Sequence, residues 1–406
     1  MAHLTSTSRP AGMPVWAFVS LMTVLTAASS LANNLFLPSM PSMTEDLRTE
    51  AAVAQLTLSV FTIGFAFAQL AWGPVSDRFG RRGVVIAGVA LYFLASLACW
   101  RAVTIEQMIA YRLVQALGVC CAPVMARAIV RDVFELRDAA RMLSYVSAAF
   151  ALTPVIAPAL GALIDESFGW RANFLFMAAT GGLMLIAVIA LLPETAQHRG
   201  QARIHPAAVT AGYVSVLSSR QFLGHTACVT FAFATIFIFN SVAPFFFIGT
   251  AGITPTEFAI PYAQTAIVYG LTAWWAARLT PRFGFDRTVL LGAAISLAGA
   301  LAMLALVLAG SRSAWLICGA MGIVTAGFGF LFPNCMAGAV APFPERAGAA
   351  SAMCGFLQMT VAAIAGTIIM ALYDGSALPM AASVVGFIAA SLISYWALIA
   401  RRRIAP

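Results

Sequence analysis

The stretch Gly73-Pro74-Val75-Ser76-Asp77-Arg78-Phe79-Gly80-Arg81-Arg82 separates two long apolar segments and decides how the rest of the chain is interpreted. Gly80 suits a tight chain reversal, and the arginines suit the membrane face on which positive charge accumulates. Asp77 needs another explanation, because an acid stands where only positive charge is favoured. Arg282-Phe283-Gly284 repeats Arg78-Phe79-Gly80 in the second half of the chain, after another long apolar segment. This repeat predicts two similar halves.

The amino acid composition places the chain in a membrane. Of its 406 residues, 61% are hydrophobic and only 9% are charged, with a mean hydropathy of +0.91. A soluble domain has about a quarter charged residues. The apolar residues form long runs instead of alternating with polar ones, which favours spanning helices over an outer-membrane β-barrel.

Twelve segments are long enough to span a bilayer, for which about 20 residues are needed. The predicted spans are residues 14–37, 54–75, 83–101, 107–130, 142–164, 172–193, 223–248, 258–279, 288–309, 314–338, 348–372 and 378–400. We therefore predict an all-α membrane protein with two pseudo-symmetric bundles of six helices. Residues 1–195 and 222–406 form the bundles, and the polar segment 196–221 connects them in the cytoplasm.

The distribution of arginine predicts the orientation. All 23 basic residues of the chain are arginine, and placing both termini in the cytoplasm puts most of them on that side. This asymmetry follows the positive-inside rule. The net charge of +8 is therefore a topology signal, and no nucleic-acid partner is expected. We predict a multi-pass protein of the bacterial inner membrane.

The stretch around Asp77 resembles the signature that the major facilitator superfamily carries between its second and third helices. The resemblance implies that Gly73 lets two helices touch. It also implies that Asp77 meets a helix N-terminus and an arginine at the end of span four, where Arg131 stands, so that the cytoplasmic gate is latched. Such contacts are physically favourable for a carboxylate. The predicted gate residues are Gly73, Asp77, Arg78, Gly80, Arg81, Arg131 and Asp132.

Further motifs are similar to the Bcr/CflA branch of drug:proton antiporters. Arg112-Leu-Val-Gln115-Ala-Leu-Gly118 resembles the helix-four signature, and Pro193-Glu194-Thr195 follows span six as in that group. Pro154, Pro158 and Gly161 in span five resemble the antiporter signature. The resemblance covers essentially the whole chain. It implies drug export by two halves rocking about a central site, with the proton gradient as the energy source and no bound cofactor or metal.

Two arginines, Arg112 and Arg127, lie well inside span four. An ionisable residue within a span is costly and marks a functional site by default. The two are about 22 Å apart along a helix, so they cannot share a ligand. For Arg127 we favour a side chain that extends to the headgroups. For Arg112 we favour a charge that organises a polar cavity. The alternative is a hydrogen-bonding hub to backbone carbonyls of helix one or five.

The chain departs from the branch pattern at Asn34, which stands where the family has an acid. Asn34 is predicted to lie level with Arg112, and an amide cannot titrate. A buried arginine without a buried acid favours a neutral polar or an anionic substrate over a cation. The predicted substrate and proton pathway comprises Asn33, Asn34, Arg112, Gln115, Arg127, Asn240, Asn334 and Gln358. The second half has no acid equivalent to Asp77, since Pro281 occupies that position.

These features predict proton-coupled efflux of a small amphiphilic compound. Proton-coupled uptake of a small organic anion stays open as an alternative, because Arg112 fits it equally well. An enzyme is not expected, since the sequence contains no Gly-x-Ser-x-Gly or His-Glu-x-x-His motif. The expected partners are the small-molecule substrate, protons and lipid, and the expected state is a monomer.

Overall fold

The computed structural model describes residues 13–196 and 206–400, and these residues contain helices but no β-strand. The helices of the first half are α1 (Val15–Asn34), α2 (Met40–Asp46), α3 (Ala51–Phe79), α4 (Arg81–Arg101), α5 (Ile105–Val133), α6 (Leu136–Phe168) and α7 (Arg171–Leu191). After α8 (Pro206–Leu217) come α9 (Arg220–Pro244), α10 (Pro255–Phe283), α11 (Phe285–Leu308), α12 (Ala314–Val340), α13 (Ala347–Ala371) and α14 (Leu378–Tyr395). The all-α prediction is confirmed.

Eleven helical segments among the described residues are long and apolar enough to cross a membrane. They correspond to eleven of the twelve predicted spans. The remaining span, predicted at 258–279, is part of α10, which has 29 residues. Its helix is long enough to cross, but Gln264, Thr265 and Thr272 interrupt its apolar sequence. The predicted span 258–279 therefore has the length of a membrane helix but a lower hydropathy than the other eleven spans.

Two predicted boundaries differ from the structure. The segment 196–221 is not simply a loop, because it contains α8, whereas residues 197–205 lie outside the described residues. The first span ends as a regular helix at Asn34, and a 3-10 turn at Leu37–Ser39 leads into the short α2. Pro38 and Pro41 lack the backbone N–H that a continuous helix would use, which accounts for this break.

Helix packing repeats between the two halves. In the first half α3 and α4 pack on α5, and α4 packs on α7; in the second half α10 and α11 pack on α12, and α11 packs on α14. The halves meet where α3 packs on α13 and α6 packs on α10. Each of these two interfaces joins the second long helix of one half to the fifth of the other.

The repeated Arg-Phe-Gly sequence forms the same turn twice. Gly80 (φ 93°) separates α3 from α4, and Gly284 (φ 83°) separates α10 from α11. A positive φ of this size is costly for any residue with a Cβ atom, so glycine is required at both turns. We call the end of the molecule that carries these two turns the arginine-rich end, and the other end the opposite end.

Candidate functional site

Arg112 lies in the middle of the first half and is completely buried, with 0% of its surface exposed. Its Nη1 donates to the carbonyl oxygen of Ala32 at the end of α1 (3.0 Å) and to Oε1 of Gln115 (2.6 Å). Its Nε is 3.5 Å from the carbonyl oxygen of Thr57 on α3. The arrangement is a hydrogen-bonding hub that includes a backbone carbonyl of helix one, which is the alternative that the sequence left open.

Aromatic rings enclose the guanidinium of Arg112. Its carbon Cζ lies 4.1 Å from the ring centre of Phe61 and 4.2 Å from that of Phe36, and Phe174 is 5.9 Å away. The rings come from α3, from the turn after α1 and from α7. A cation over a ring face gains about 2 kcal/mol or more where water is excluded, so three rings offset part of the cost of burial. Sequence reasoning did not assign these phenylalanines to the site.

Gln115 extends the network to α4 and adds a second contact with α7. Its Nε2 donates to Oγ of Ser96 on α4 (2.8 Å) and lies 3.6 Å from Sδ of Met177 on α7. The amide therefore accepts from Arg112 and donates to Ser96 at the same time. Five long helices, α1, α3, α4, α5 and α7, contribute atoms to this cluster.

Within the described part of the chain, no carboxylate lies within ion-pair distance of Arg112, and its Nη2 has no hydrogen-bond partner. Asn34 is also buried, but no hydrogen bond joins it to Arg112 in the described structure. Its Nδ2 donates to the carbonyl oxygen of Ser30, one turn earlier on α1 (2.8 Å). The α1 residue that reaches Arg112 is Ala32, through its backbone. Asn33 is half-buried, and its Oδ1 has no partner among the described residues.

The predicted antiporter signature lies on α6, which packs on α1. Pro154 and Pro158 are within α6, and Gly161 meets the chain just after α1. A Cβ atom on Gly161 would be 1.7 Å from the carbonyl oxygen of Leu35, so no other residue fits without displacing that backbone. Leu35 precedes Phe36, which packs on Arg112. The signature glycine thus holds one wall of the aromatic cage in place.

The predicted residues of the second half form separate pairs. Asn240 on α9 accepts a hydrogen bond from the Tyr262 hydroxyl (2.9 Å), and Asn334 on α12 accepts one from Thr280 (3.1 Å). Gln358 on α13 is buried, and its Nε2 has no partner among the described residues. None of these pairs is hydrogen-bonded to the Arg112 cluster, so the predicted pathway residues do not form one connected site.

Arg127 is exposed on the surface of α5, where its Nε donates to the carbonyl oxygen of Pro123 (3.2 Å). A cavity of about 750 Å³ opens elsewhere, between the first half of α1 and the last half of α7. Its walls are mainly apolar, with Trp16 and Leu183 among them, and none of the predicted pathway residues lines it.

The gate residues meet in a different pattern from the predicted one. Asp77 pairs with Arg81 (2.7 Å), and Arg81 also pairs with Asp132 on α5 (3.0 Å). Arg131 is exposed and forms no ion pair with Asp77 in the described structure. The predicted gate residues Asp77, Arg81 and Asp132 therefore do meet, but Arg81 pairs with Asp77 in the place that the resemblance gave to Arg131.

Gly73 is a further gate residue that differs from the family pattern. A Cβ atom on Gly73 would meet no atom within 4 Å, so this glycine does not bring two helices into contact here. Arg78 lies over its neighbour Phe79, with 5.4 Å between Cζ and the ring centre. Asp77 itself is 52% exposed. The predicted latch between Asp77 and Arg131 is therefore not formed in the described structure.

Glu194 joins the end of α7 to this gate. Its Oε1 accepts hydrogen bonds from the backbone N–H groups of Arg81 (2.8 Å), Thr195 (3.1 Å) and Ala196 (3.1 Å). Partial burial raises the pKa of Glu194, but hydrogen bonds from the backbone N–H groups of Ala196 and Arg81 outweigh it and lower the pKa below 4.5. The carboxylate is therefore a charged cap on the N-terminus of α4. Only its place in the Pro-Glu-Thr motif hinted at this role.

The two halves are joined by side-chain contacts near the opposite end. Gln55 on α3 donates to Oγ of Ser241 on α9 (3.0 Å). Ser59 on α3 donates to the carbonyl oxygen of Ala363 on α13 (3.1 Å) and accepts from Thr367 (2.8 Å). These are short, buried contacts between the halves.

A carboxylate completes the closure at this end. At the start of α10, Thr254 and Glu257 cap each other, and Pro255 has no N–H to satisfy. The remaining free donor, the N–H of Thr256, binds Oε1 of Glu166 from the first half (2.9 Å). A negative charge at a helix N-terminus is favourable, so Glu166 helps to hold the halves together here.

A family model covers most of the chain. The model described as Major Facilitator Superfamily matches residues 22–367. The chain belongs to the major facilitator superfamily. The predicted family is thereby confirmed.

Curated relatives of this superfamily member include three drug-resistance proteins. A bicyclomycin resistance protein homolog of Haemophilus influenzae is 24% identical over 385 residues, 95% of this chain and 96% of the relative. A chloramphenicol resistance protein of Pseudomonas aeruginosa is 30% identical and covers 88% of this chain and 84% of its own. The multidrug resistance protein MdtL of Shewanella oneidensis is 29% identical, with 82% and 83% covered. The resemblance to the Bcr/CflA branch is confirmed.

Solved structures of other superfamily members share the fold. The nucleoside transporter NupG, solved as a point mutant, has a TM-score of 0.76 at 13% identity, covering 94% of this chain and 98% of that one. The xylose transporter XylE from E. coli, in a partially occluded inward open conformation, has a TM-score of 0.73 at 12% identity, with 96% and 98% covered. The protein is thus a multi-pass membrane protein with the major facilitator fold.

Proposed function

We propose that this protein exports small amphiphilic drugs across the bacterial inner membrane, using the proton gradient to drive alternating access. The observation that supports export most directly is the match over most of the chain to proteins named for bicyclomycin, chloramphenicol and multidrug resistance. The arrangement of the halves is compatible with alternating access, because hydrogen bonds join them near the opposite end while the Asp77–Arg131 pair is not formed. The proton gradient is the proposed energy source, and no bound cofactor is required.

The charge of the Arg112 cluster supports a preference among substrates. A buried guanidinium without a carboxylate repels cations and attracts acceptors or anions. We therefore favour neutral and anionic compounds over cations. The orientation belongs to the same proposal: the arginine-rich end faces the cytoplasm together with both termini, and the protein acts as a monomer.

A second candidate is uptake of a small organic anion by proton symport. The charge of Arg112 is as compatible with uptake as with export, because it would attract an anionic substrate whichever way that substrate is transported. Export and uptake give opposite results when the accumulation of a labelled compound in cells is measured.

The test measures radiolabelled chloramphenicol in cells that overproduce the protein and in cells with the empty vector. Export predicts lower accumulation in the overproducing cells, and a protonophore should remove the difference. Benzoate, a small organic anion, is measured in parallel. Higher benzoate accumulation that a protonophore abolishes would favour symport. If a panel of drug classes and anions shows no difference at matched expression, the transport proposal is wrong.

A further inference from the structure

The second half contains a buried histidine that the export mechanism above does not use. His225 is the fifth residue after the start of α9, lies within a membrane span and is 4% exposed. It is the only histidine among the described residues, since His3, His198 and His205 lie outside them. Histidine is the side chain whose charge changes between pH 5 and 8 in an ordinary environment. Titratable groups inside a span are functional by default.

The ring of His225 is clamped between two helices. On one side, Gly338 of α12 packs so closely that a Cβ atom there would lie 2.5 Å from the imidazole Nε2 and Cε1. On another side, the ring meets Tyr395 of α14 edge-on, with 5.6 Å between ring centres. In such tight packing, protonation of the histidine changes its interactions with the neighbouring atoms strongly, because these atoms cannot rearrange freely.

A carboxylate is linked to this ring through the tyrosine. The hydroxyl of Tyr395 donates to Oδ1 of Asp286 at the start of α11 (2.6 Å). Asp286 is half-buried at the arginine-rich end, whereas Tyr395 is fully buried. Three titratable side chains from three helices therefore run from the end of the bundle to the buried imidazole. The carboxylate supplies the negative charge that an imidazolium requires.

Besides Asp286 and Tyr395, the packed helices carry thiols near the ring and the exposed arginines Arg220 and Arg287. Cys228 lies one turn further along α9 and contacts Cys335 of α12 and Ser391 of α14. Cys354 of α13 contacts Thr226 and Met336. Thiols are mainly uncharged at neutral pH, so Asp286 is the charged member of this environment. Arg220, at the start of α9, is exposed.

We propose that His225, supported by Tyr395 and Asp286, is a proton-binding site of the second half, entered from the arginine-rich end. Protonation adds an ionic charge at the α9–α12 contact, where Gly338 leaves no room. The same helix carries Ser241, which binds Gln55 of the first half about 24 Å further along. A change at His225 therefore acts on a rigid element that also forms the closure between the halves. Coupling to transport rests on the proposed function; proton binding itself does not.

Direct titration tests the binding. In the full-length protein with His3, His198 and His205 replaced by glutamine, the ring of His225 is labelled with 13C and followed by NMR in nanodiscs from pH 5 to 8.5. We expect a single titration within this range. Asp286→Asn should move its midpoint to lower pH by about 0.5 to 1 unit, since the carboxylate stabilises the charged ring. Tyr395→Phe, which removes only the hydroxyl, should move it in the same direction.

A ring that stays neutral down to pH 5, or a midpoint that Asp286→Asn leaves unchanged, would overturn the site. Neither result depends on a substrate. The coupling is tested in proteoliposomes by proton movement on addition of chloramphenicol, with a trapped pH dye. His225→Gln should lose this proton movement while retaining downhill chloramphenicol exchange. Unchanged proton movement in the variant would refute the coupling role, whereas failure of the unmodified protein to move chloramphenicol would count against the proposed export alone.

Discussion

Arg112 has an energetic role that no other arginine of the described chain shares. It is enclosed by three aromatic rings and by carbonyl and amide oxygens from neighbouring helices, and no acid among the described residues neutralises it. Its removal would leave a cavity and unsatisfied oxygens inside the first half. Arg127 lies at the surface, where its loss removes one local hydrogen bond.

Arg112→Ala should therefore abolish transport and lower the stability of the protein by about 3 kcal/mol or more. Arg127→Ala should change stability by no more than about 0.5 kcal/mol. Arg112→Lys should rescue only part of the loss, because an ammonium does not stack on Phe36 and Phe61 as a planar guanidinium does. Thermal unfolding in detergent and drug efflux measure both effects. Equal, mild losses in the two alanine variants would contradict a special role for Arg112.

Asn34 offers a change of selectivity at a single residue. Its amide donates to Ser30, and Arg112 donates to Ala32 and Gln115 instead of to Asn34, so we expect a carboxylate at this position to keep its charge available. Asn34→Asp should gain ethidium export relative to chloramphenicol export by about tenfold, equivalent to about 1.4 kcal/mol. Ethidium efflux from energised vesicles at matched expression measures this gain. No gain in a correctly folded variant would show that the amide does not exclude cations.

At the scale of the helices, a side chain just after α7 determines how α4 begins. Glu194 has a lowered pKa, so its stabilising charge is present above its ordinary pKa and is lost as the pH falls through the lowered value. Glu194→Gln should lower stability at pH 7 by about 0.5 kcal/mol, since the group is partly exposed. The difference between the two proteins should vanish in acid, once the pH is below this lowered pKa. Unfolding temperatures at pH 7 and in acid measure it, and a pH-independent difference would exclude the charge as the cause.

The contact between α6 and the end of α1 gives a second prediction at this scale. Gly161→Ala should displace Leu35 and Phe36 and reduce export at least tenfold, because the added Cβ atom has no space. Gly386→Ala on α14 is the matched control, since a Cβ atom there meets nothing within 4 Å. Drug susceptibility at equal membrane levels compares the two. Export by Gly161→Ala at the level of the control would contradict the close contact.

The sequence predicted the helices well, for reasons visible in particular residues. The turns at Gly80 and Gly284 follow from local steric rules, and each apolar span follows from composition. The partners of Arg112 could not be predicted. Phe36, Phe61 and Phe174 lie far apart in the chain, and they converge only when the helices adopt their relative rotation. Whether Asp132 or Arg131 of α5 forms an ion pair at the gate depends on the same rotation, which a one-residue shift changes by about 100°.

At the scale of the whole molecule, alternating access requires the contacts at the opposite end to break. The hydroxyls of Ser59 and Thr367 are 2.8 Å apart across the halves, close enough for a disulfide after substitution. The double variant Ser59→Cys, Thr367→Cys should lose export when oxidised and regain it with a reductant. Single variants are the controls. Full export by the cross-linked protein would show that this end does not open.

The pairing of the halves bears on how such a chain can arise. The second long helix of each half packs on the fifth helix of the other, so the same two surfaces meet twice, as in an isologous homodimer with a two-fold axis. A half-length ancestor with these surfaces would have paired with a copy of itself before the genes fused. Fusion then freed each copy to diverge alone. In the second copy Pro281 now occupies the place of Asp77, and that same copy carries the buried histidine. An asymmetric transporter can thus arise from a symmetric dimer while the helix contacts that join its two halves stay the same.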